Sequence, residues 1–443
     1  MEHIAIVGNG ISGITTARHI RKLSDDTRIT VISAETDHFF SRTALMYIYM
    51  GHMTYENTKP YEDSFWPKNR IDLKRGLVQS VDAANKQLVF STGETMAYDK
   101  LVLACGSKSN KFGWPGQDLK GVQGLYNYQD LQLMEENSKN IQHAVLIGGG
   151  LIGVEMAEML HTRGIKSTFL IRESRFWGNV LPKEEGELIG RHLDEHHVKL
   201  MLETELKEIV PDENGRVRAI ITGSGEEIAC QFVGLTAGVS PNIDFLKEAE
   251  IETQRGIMVN EYLETNVPGI YAVGDCAQFH QHPTDRRNLE QVWYTGRLMG
   301  ETVARTICGD KVAYQPGVWF NSAKFFDIEY QTYGWVWNEL KENEAAFYWE
   351  HPGGKMCLKM IYDKESHQLL GLNVFGVRMR HVVCESWLKE NRSIEYAMEH
   401  LKDANFDPEF FDAYEETIVS TFNQQTGANV KVRQRSWKRI LNL

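Results

Sequence analysis

The sequence predicts an α/β protein in which a dinucleotide-binding unit occurs twice and a separate α+β domain follows. Three observations predict it. Ile4-Ala5-Ile6-Val7 runs into Gly8-Asn9-Gly10-Ile11-Ser12-Gly13, and Ala144-Val145-Leu146-Ile147 runs into Gly148-Gly149-Gly150-Leu151-Ile152-Gly153. After about Pro316 the pattern changes to aromatic-rich alternating stretches and then to acidic helical ones. A short all-apolar run suits a strand buried on both faces, and a G-x-G-x-x-G opening a helix directly after it seats the phosphates of a dinucleotide at the helix's positive end. Two such devices imply two dinucleotides, and the economical purpose of two is to pass electrons between them.

In the first unit Gly8 permits the tight turn, Gly10 lets backbone approach a pyrophosphate, and Gly13 lets helix and strand pack closely. The helix is expected from about Ile11 to Leu23, with Ile11 and Ser12 at the phosphates. Arg28-Ile29-Thr30-Val31-Ile32 reads as the second strand. Ser33 stands where an acid would hold ribose hydroxyls; Glu35, two residues on, is either that ligand or an exposed loop carboxylate. Arg42, among the apolar residues Phe39 to Tyr47, suits a bidentate pyrophosphate clamp, the alternative being a surface ion pair. Residues 76–98 alternate as a small antiparallel insert. Lys100-Leu101-Val102-Leu103 is a buried strand ending in Ala104, Cys105 and Gly106, small residues against which an adenine or pyrophosphate can lie.

The second unit runs from about Leu119 to Ala237. Gly148, Gly150 and Gly153 repeat the cradle around Leu151 and Ile152, and a helix is expected from Val154 to about Thr162. The strand Ser167 to Ile171 ends without an acid, and Arg172 and Arg175 follow. Losing the carboxylate and gaining guanidiniums accommodates a 2′-phosphate, so the sequence leans to NADPH over NADH, although Glu173 between the arginines would repel that phosphate. Glu155 is either a carboxylate favoured by the helix dipole or a group facing the reacting rings. The chain crosses back near Gly238. Gly274-Asp275 then closes a buried strand, where Asp275 suits a ribityl hydroxyl. A helix is expected from about Asn288 to Ile307, with Trp293 in its first turns.

A formal charge of −12 over 443 residues argues against a general nucleic-acid binder. No apolar run reaches the roughly 18 residues of a membrane span, and Met1-Glu2-His3 leads straight into the first strand, so a cytoplasmic protein is expected. The six cysteines are scattered, and the fifteen histidines show no H-E-x-x-H, so no protein-bound metal is expected. Residues 431–443 form a basic, partly apolar tail, either a solvated terminus or a docking element for an acidic partner or membrane surface.

Gly8-x-Gly10-x-x-Gly13, Ala104-Cys105-Gly106-Ser107, Gly148-x-Gly150-x-x-Gly153-x-Glu155 and Thr265 to Asp275 occur in an order and spacing that resemble the FAD-dependent pyridine nucleotide-disulfide oxidoreductase family over about residues 1–310. The resemblance implies two nested Rossmann-like domains: an FAD domain split over 1–117 and 239–315, an NAD(P) domain over 118–238, and a C-terminal α+β interface domain over 316–443, which forms homodimers in some branches. Branches that relay electrons through sulfur place cysteines in the region matching Ser41 to Tyr47, where this chain has none. Phe40 to Tyr47 instead resembles the segment of ferredoxin reductases, rubredoxin reductases and apoptosis-inducing-factor-like proteins. There the arginine matched by Arg42 contacts the flavin pyrophosphate, and a lysine pairs with the glutamate matched by Glu155. This chain has Tyr47 in the lysine's place. The expected activity is hydride transfer from NAD(P)H to FAD and onward passage of electrons to a ferredoxin, rubredoxin or Rieske-type protein, with Glu155, Tyr47 and Trp293 lining the reaction face. Two other readings stay open: a membrane-surface quinone reductase anchored by the basic tail, and a redox-responsive flavin-binding protein with little turnover.

Overall fold

The computed structural model describes residues 1–284, 286–406 and 412–433. The chain forms two compact units, Met1–Ser167 with Leu206–Pro316, and Thr168–Glu205 with Gly317–Leu443.

The first unit is built on a five-stranded parallel sheet. Strand β1 (His3–Val7) leads through helix α1 (Ile11–Leu23) to β2 (Arg28–Ser33); helix α2 (Leu45–Tyr49) and strand β3 (Ile71–Arg75) follow. The spatial order is Ile270–Ala272, Lys100–Leu103, β1, β2, β3. Both neighbours of β1 run parallel to it, Ile4 lying opposite Ile29 and Lys100. Ile4, Ala5 and Ile6 are fully buried, which is why the run carries no polar residue. Helix α1 buries Ile14, Ala17 and Ile20 on one face. It packs on the helix Trp293–Ile307 through glycines: a Cβ on Gly300 would stand 2.6 Å from the Ser12 carbonyl oxygen, and one on Gly296 2.5 Å from its Oγ. The insert is a three-stranded antiparallel sheet, Val78–Asp82, Gln87–Phe90 and Thr95–Ala97. The second glycine-rich stretch joins His143–Ile147, paired in parallel with Phe232–Leu235, to the helix Leu151–Thr162.

Two helix starts differ from the sequence expectation: the second glycine-rich helix begins at Leu151 rather than Val154, with Gly150 as its N-cap, so the motif's last three residues are already helical. The late helix starts at Trp293 rather than Asn288, with Val292 extended before it. Asn288 is tied to the preceding loop, its carbonyl accepting from the Phe279 N–H at 2.8 Å and its side chain from the His282 N–H at 2.9 Å. Those bonds hold the segment out of helical geometry.

The second unit is α+β. Its antiparallel sheet has the order Phe320–Phe325, Ile328–Gly334, Leu369–Phe375, Cys357–Asp363, Glu344–Glu350. Tyr333, Phe347, Leu358, Met360 and Leu372 form its core with residues of the helices His381–Lys389, Ile394–Glu399 and Glu415–Thr426. The helix Lys183–Glu195 buries Glu185, Leu188, Ile189 and His192, the period of one helical face. Glu184 pairs with Lys359 at 2.8 Å and Glu185 accepts from Asn373 at 2.7 Å. Val432 of the basic tail is buried in this core, and the Arg433 N–H donates to the Glu399 carbonyl at 2.8 Å. The rest of the tail, 434–443, lies outside the described residues.

Candidate active site

A cavity of about 450 Å³ opens in the first unit, at the carboxyl ends of β1 and Lys100–Leu103. Gly8, Gly10, Ile11 and Ser12 line it on one side, and Ile152 and Glu155 of the second glycine-rich helix line it on another.

The first glycine motif meets the demands of a phosphate cradle residue by residue. Gly8 has φ +119, and a Cβ there would lie 2.0 Å from the Ala104 carbonyl oxygen. A Cβ on Gly13 would lie 2.0 Å from the Gly8 carbonyl oxygen, whereas one on Gly10 would meet nothing within 4 Å. Backbone is therefore packed at the outer glycines and open at the middle one. Gly10 is the N-cap of α1 and no side chain caps the helix, which leaves its first N–H groups and its positive end to an anion. A Cβ on Gly274, at φ +76, would sit 2.2 Å from Ser12 Oγ, so the Gly274-Asp275 turn reaches the motif only as glycine. These residues fit FAD.

The polar wall is one connected network. Arg42 donates to both carboxylate oxygens of Glu35, at 2.8 and 2.6 Å, and to the Tyr126 carbonyl at 2.8 Å. Glu35 Oε1 also accepts from the Tyr128 N–H at 2.8 Å. The two residues that sequence reasoning gave separate ligand roles thus stand together in the cavity wall as a bidentate pair. The Tyr126 hydroxyl accepts from the Ser107 N–H at 2.9 Å and donates to Asp275 Oδ2 at 3.0 Å. Burial raises the Asp275 carboxyl above its ordinary range, opposed by the Tyr126 hydroxyl and the Arg42 charge. Ala104, Cys105 and Gly106 line the same cavity, Gly106 at φ +67 under the Tyr126 hydroxyl. Contact with Cys276, and then burial, hold the Cys105 thiol protonated.

Glu155 is half-buried, and burial followed by the nearby Glu158 charge pushes its carboxyl up to about 7. Trp293 lines the cavity and is 36 % exposed. Tyr47 lies on α2 with its ring against His52, centroids 6.2 Å apart, and is not among the cavity's lining residues. Sequence reasoning missed Tyr126 and Gln291, whose Nε2 donates to Ser107 Oγ at 2.7 Å. The usable signal for the first was the capping box after it: Asn127 accepts from the Asp130 N–H at 2.8 Å and Asp130 accepts from the Asn127 N–H at 3.1 Å, which fixes the turn that carries Tyr126.

The second motif repeats the pattern. Gly148 has φ +102 with a Cβ position 2.9 Å from Ala237 Cα, and a Cβ on Gly150, the side-chain-free N-cap of Leu151–Thr162, would meet nothing. Gly153 is buried, and Gly238 turns at φ +83 beside Asn110. In the second unit Arg172 is exposed, 3.6 Å from Glu173, while Arg175 donates to the Gly178 carbonyl at 3.1 Å.

Residues 2–300 match the family described as pyridine nucleotide-disulphide oxidoreductase, and the chain belongs to it. The chain is 28 % identical over 381 residues to a nitrite reductase [NAD(P)H] of Bacillus subtilis, covering 85 % of this chain and 46 % of that protein. It is 28 % identical over 312 residues to an NADH-rubredoxin oxidoreductase of Clostridium acetobutylicum, 70 % of this chain and 76 % of that one. The chain spans about half the length of the Bacillus subtilis relatives it matches. In fold it is similar to a ferredoxin reductase from Rhodopseudomonas palustris, TM-score 0.77 at 21 % identity, covering 92 % of this chain and 96 % of that one.

Proposed function

We propose that this chain oxidises NAD(P)H through FAD and hands the electrons to a small iron–sulfur protein of the ferredoxin, rubredoxin or Rieske class. One observation carries the reading: the first turns of both glycine-rich helices open on a single cavity, so a dinucleotide on each would meet the other there. The named activities of similar proteins, rubredoxin and ferredoxin reductases among them, support it.

FAD, when bound, supplies the hydride acceptor and the means of passing electrons on. The chain's residues bind, orient and exclude water. Gly8, Gly10, Ile11, Ser12 and Gly13 would hold the pyrophosphate at the start of α1, with Ala104, Cys105 and Gly106 beside it. Arg42, the proposed pyrophosphate contact, would share its guanidinium with Glu35, which balances its charge. Asp275, oriented by the Tyr126 hydroxyl, would take a sugar or ribityl hydroxyl. Gly148, Gly150, Leu151, Ile152, Gly153 and Gly238 would seat the nicotinamide dinucleotide, and Arg172 with Arg175 would favour NADPH. Glu155 and Trp293 bound the space where the two rings would stack, positioning rather than attacking. Held near pH 7, the Glu155 carboxyl can carry its proton at neutral pH and present a neutral face to the nicotinamide. The three-domain division, 1–117 with 239–315, 118–238 and 316–443, belongs to the same proposal. So does a cytoplasmic location; among the described residues no helix is long and apolar enough to cross a membrane.

The test is the oxidant. Protein reduced by the nicotinamide cofactor should be reoxidised quickly by one or more of a set of small iron–sulfur proteins and slowly by quinones in vesicles. The reverse order would replace this acceptor class with quinones.

A further inference from the structure

A cluster in the second unit has the makings of a metal site. The buried face of the helix Lys183–Glu195 reaches His192, and His196 follows one turn later, their rings edge to face at 4.7 Å. Within the same unit the hairpin Phe320–Phe325 and Ile328–Gly334 turns through Phe326 and Asp327 alone. Phe326 takes φ +55 and stacks on His196 at 4.4 Å, which fixes the direction of the turn and places Asp327 against both histidines. Asp327 Oδ1 lies 2.7 Å from His192 Nε2 and 3.1 Å from His196 Nε2.

One carboxylate oxygen therefore faces two imidazole nitrogens, and the three donor atoms lie within 4.8 Å of one another. A zinc ion with bonds near 2.1 Å needs tetrahedral edges of about 3.4 Å, within reach of small side-chain adjustments. The His192 side chain is 1 % exposed, and neither of its nitrogens makes an aligned hydrogen bond among the described residues. A close approach that is off line for an N–H donor leaves a buried polar atom with its demand unmet, which a cation on the lone pair would satisfy. Glu195 Oε2 lies 3.7 Å from His192 Nδ1, beyond hydrogen-bond distance, and 3.3 Å from Lys355 Nζ. Lys355 touches the second oxygen of Asp327, at 3.6 Å, and leaves Oδ1 to the histidines.

We propose that His192, His196 and Asp327 bind one divalent transition-metal ion with the ligand preferences of zinc, fastening the 326–327 turn to the end of the helix. Imidazole and carboxylate together suit zinc, and the 59 % exposure of Asp327 lets water complete the coordination. The sequence expectation of no metal rests on finding no H-E-x-x-H or comparable ligand spacing, and this pair overturns that ground. His192 and His196 carry the same i, i+4 spacing, but the third ligand lies 131 residues beyond His196.

The experiment uses untagged, flavin-loaded full-length protein stripped with a chelator and dialysed against limiting zinc. Metal content, and competition with a chromophoric chelator, should give a single zinc per chain, bound at least tenfold more weakly by His196→Gln and by Asp327→Asn. Both positions are partly exposed, so the variants should keep the wild-type circular dichroism. Zinc should raise the melting temperature of the wild type and leave that of both variants unmoved. Wild type that retains no zinc, or zinc retained equally by both variants, overturns the site. Flavin reduction by the nicotinamide cofactor should be the same in all three proteins, so this test fails or succeeds apart from the oxidoreductase reading.

Discussion

Glycines at neighbouring positions carry opposite structural demands, and substitutions separate them. Gly10→Ala places its methyl in open space, so the protein should fold with unchanged stability and be purified with little or no flavin. Gly8→Ala combines a positive φ with a clash on the Ala104 carbonyl, a cost of at least ~2 kcal/mol that should appear as lost soluble protein or a sharply lower Tm. Absorbance per protein and a melt on each variant check both. Glu155 gives a pH signature. Its carboxyl is raised from 4.5 to about 7 in the fold, so its contribution to stability is fully present below pH 4.5 and is lost as pH rises through 7. Flavin-free wild type should therefore fall in stability over that window relative to Glu155→Gln, by on the order of 1–3 kcal/mol. Equal slopes for the two proteins would show that Glu155 has an ordinary carboxyl.

At the scale of elements, the close packing of α1 on Trp293–Ile307 aligns the first glycine motif with Gly274-Asp275. Gly300→Leu would drive a side chain against the Ser12 carbonyl, and should cost several kcal/mol of stability together with flavin binding. Tyr126→Phe keeps the packing but removes the hydroxyl shared by Ser107 and Asp275. It should lower stability by about 1–2 kcal/mol and weaken flavin retention, read by a melt and by flavin release in dilute denaturant. These elements also show what was legible in the sequence. Both strand-turn-helix units, Ala104 to Gly106 and Gly274-Asp275 could be read because close backbone approach restricts the residue type to glycine or other small side chains. Tyr126 and Gln291 could not, since a tyrosine or glutamine obeys no such restriction and their partners are remote in sequence. The start of the late helix is hidden for a related reason: Asn288 is tied to the preceding loop by bonds from Phe279 and His282, which a local pattern does not reveal. The pairing of Glu35 with Arg42 is likewise a tertiary fact, seven residues apart along the chain.

At the scale of the whole molecule, two nucleotide cradles would serve one chemical space without a cysteine pair to relay electrons, Cys105 in the cavity wall being a protonated thiol. The six cysteines are all free in the structure, and none falls in the segment Ser41 to Tyr47. On the proposed reading, Arg172 and Arg175 after the strand end at Ile171 set the nucleotide choice. Arg172→Ala should raise the KM for NADPH about tenfold and leave that for NADH nearly unchanged, measured with an artificial acceptor. The most direct test of the central claim is anaerobic titration of the purified, FAD-loaded protein with NADPH and with NADH. The yellow flavin spectrum should bleach stoichiometrically with at least one of them, faster with NADPH, while every cysteine stays in the thiol state. A flavin that stays oxidised with both nucleotides would contradict that claim.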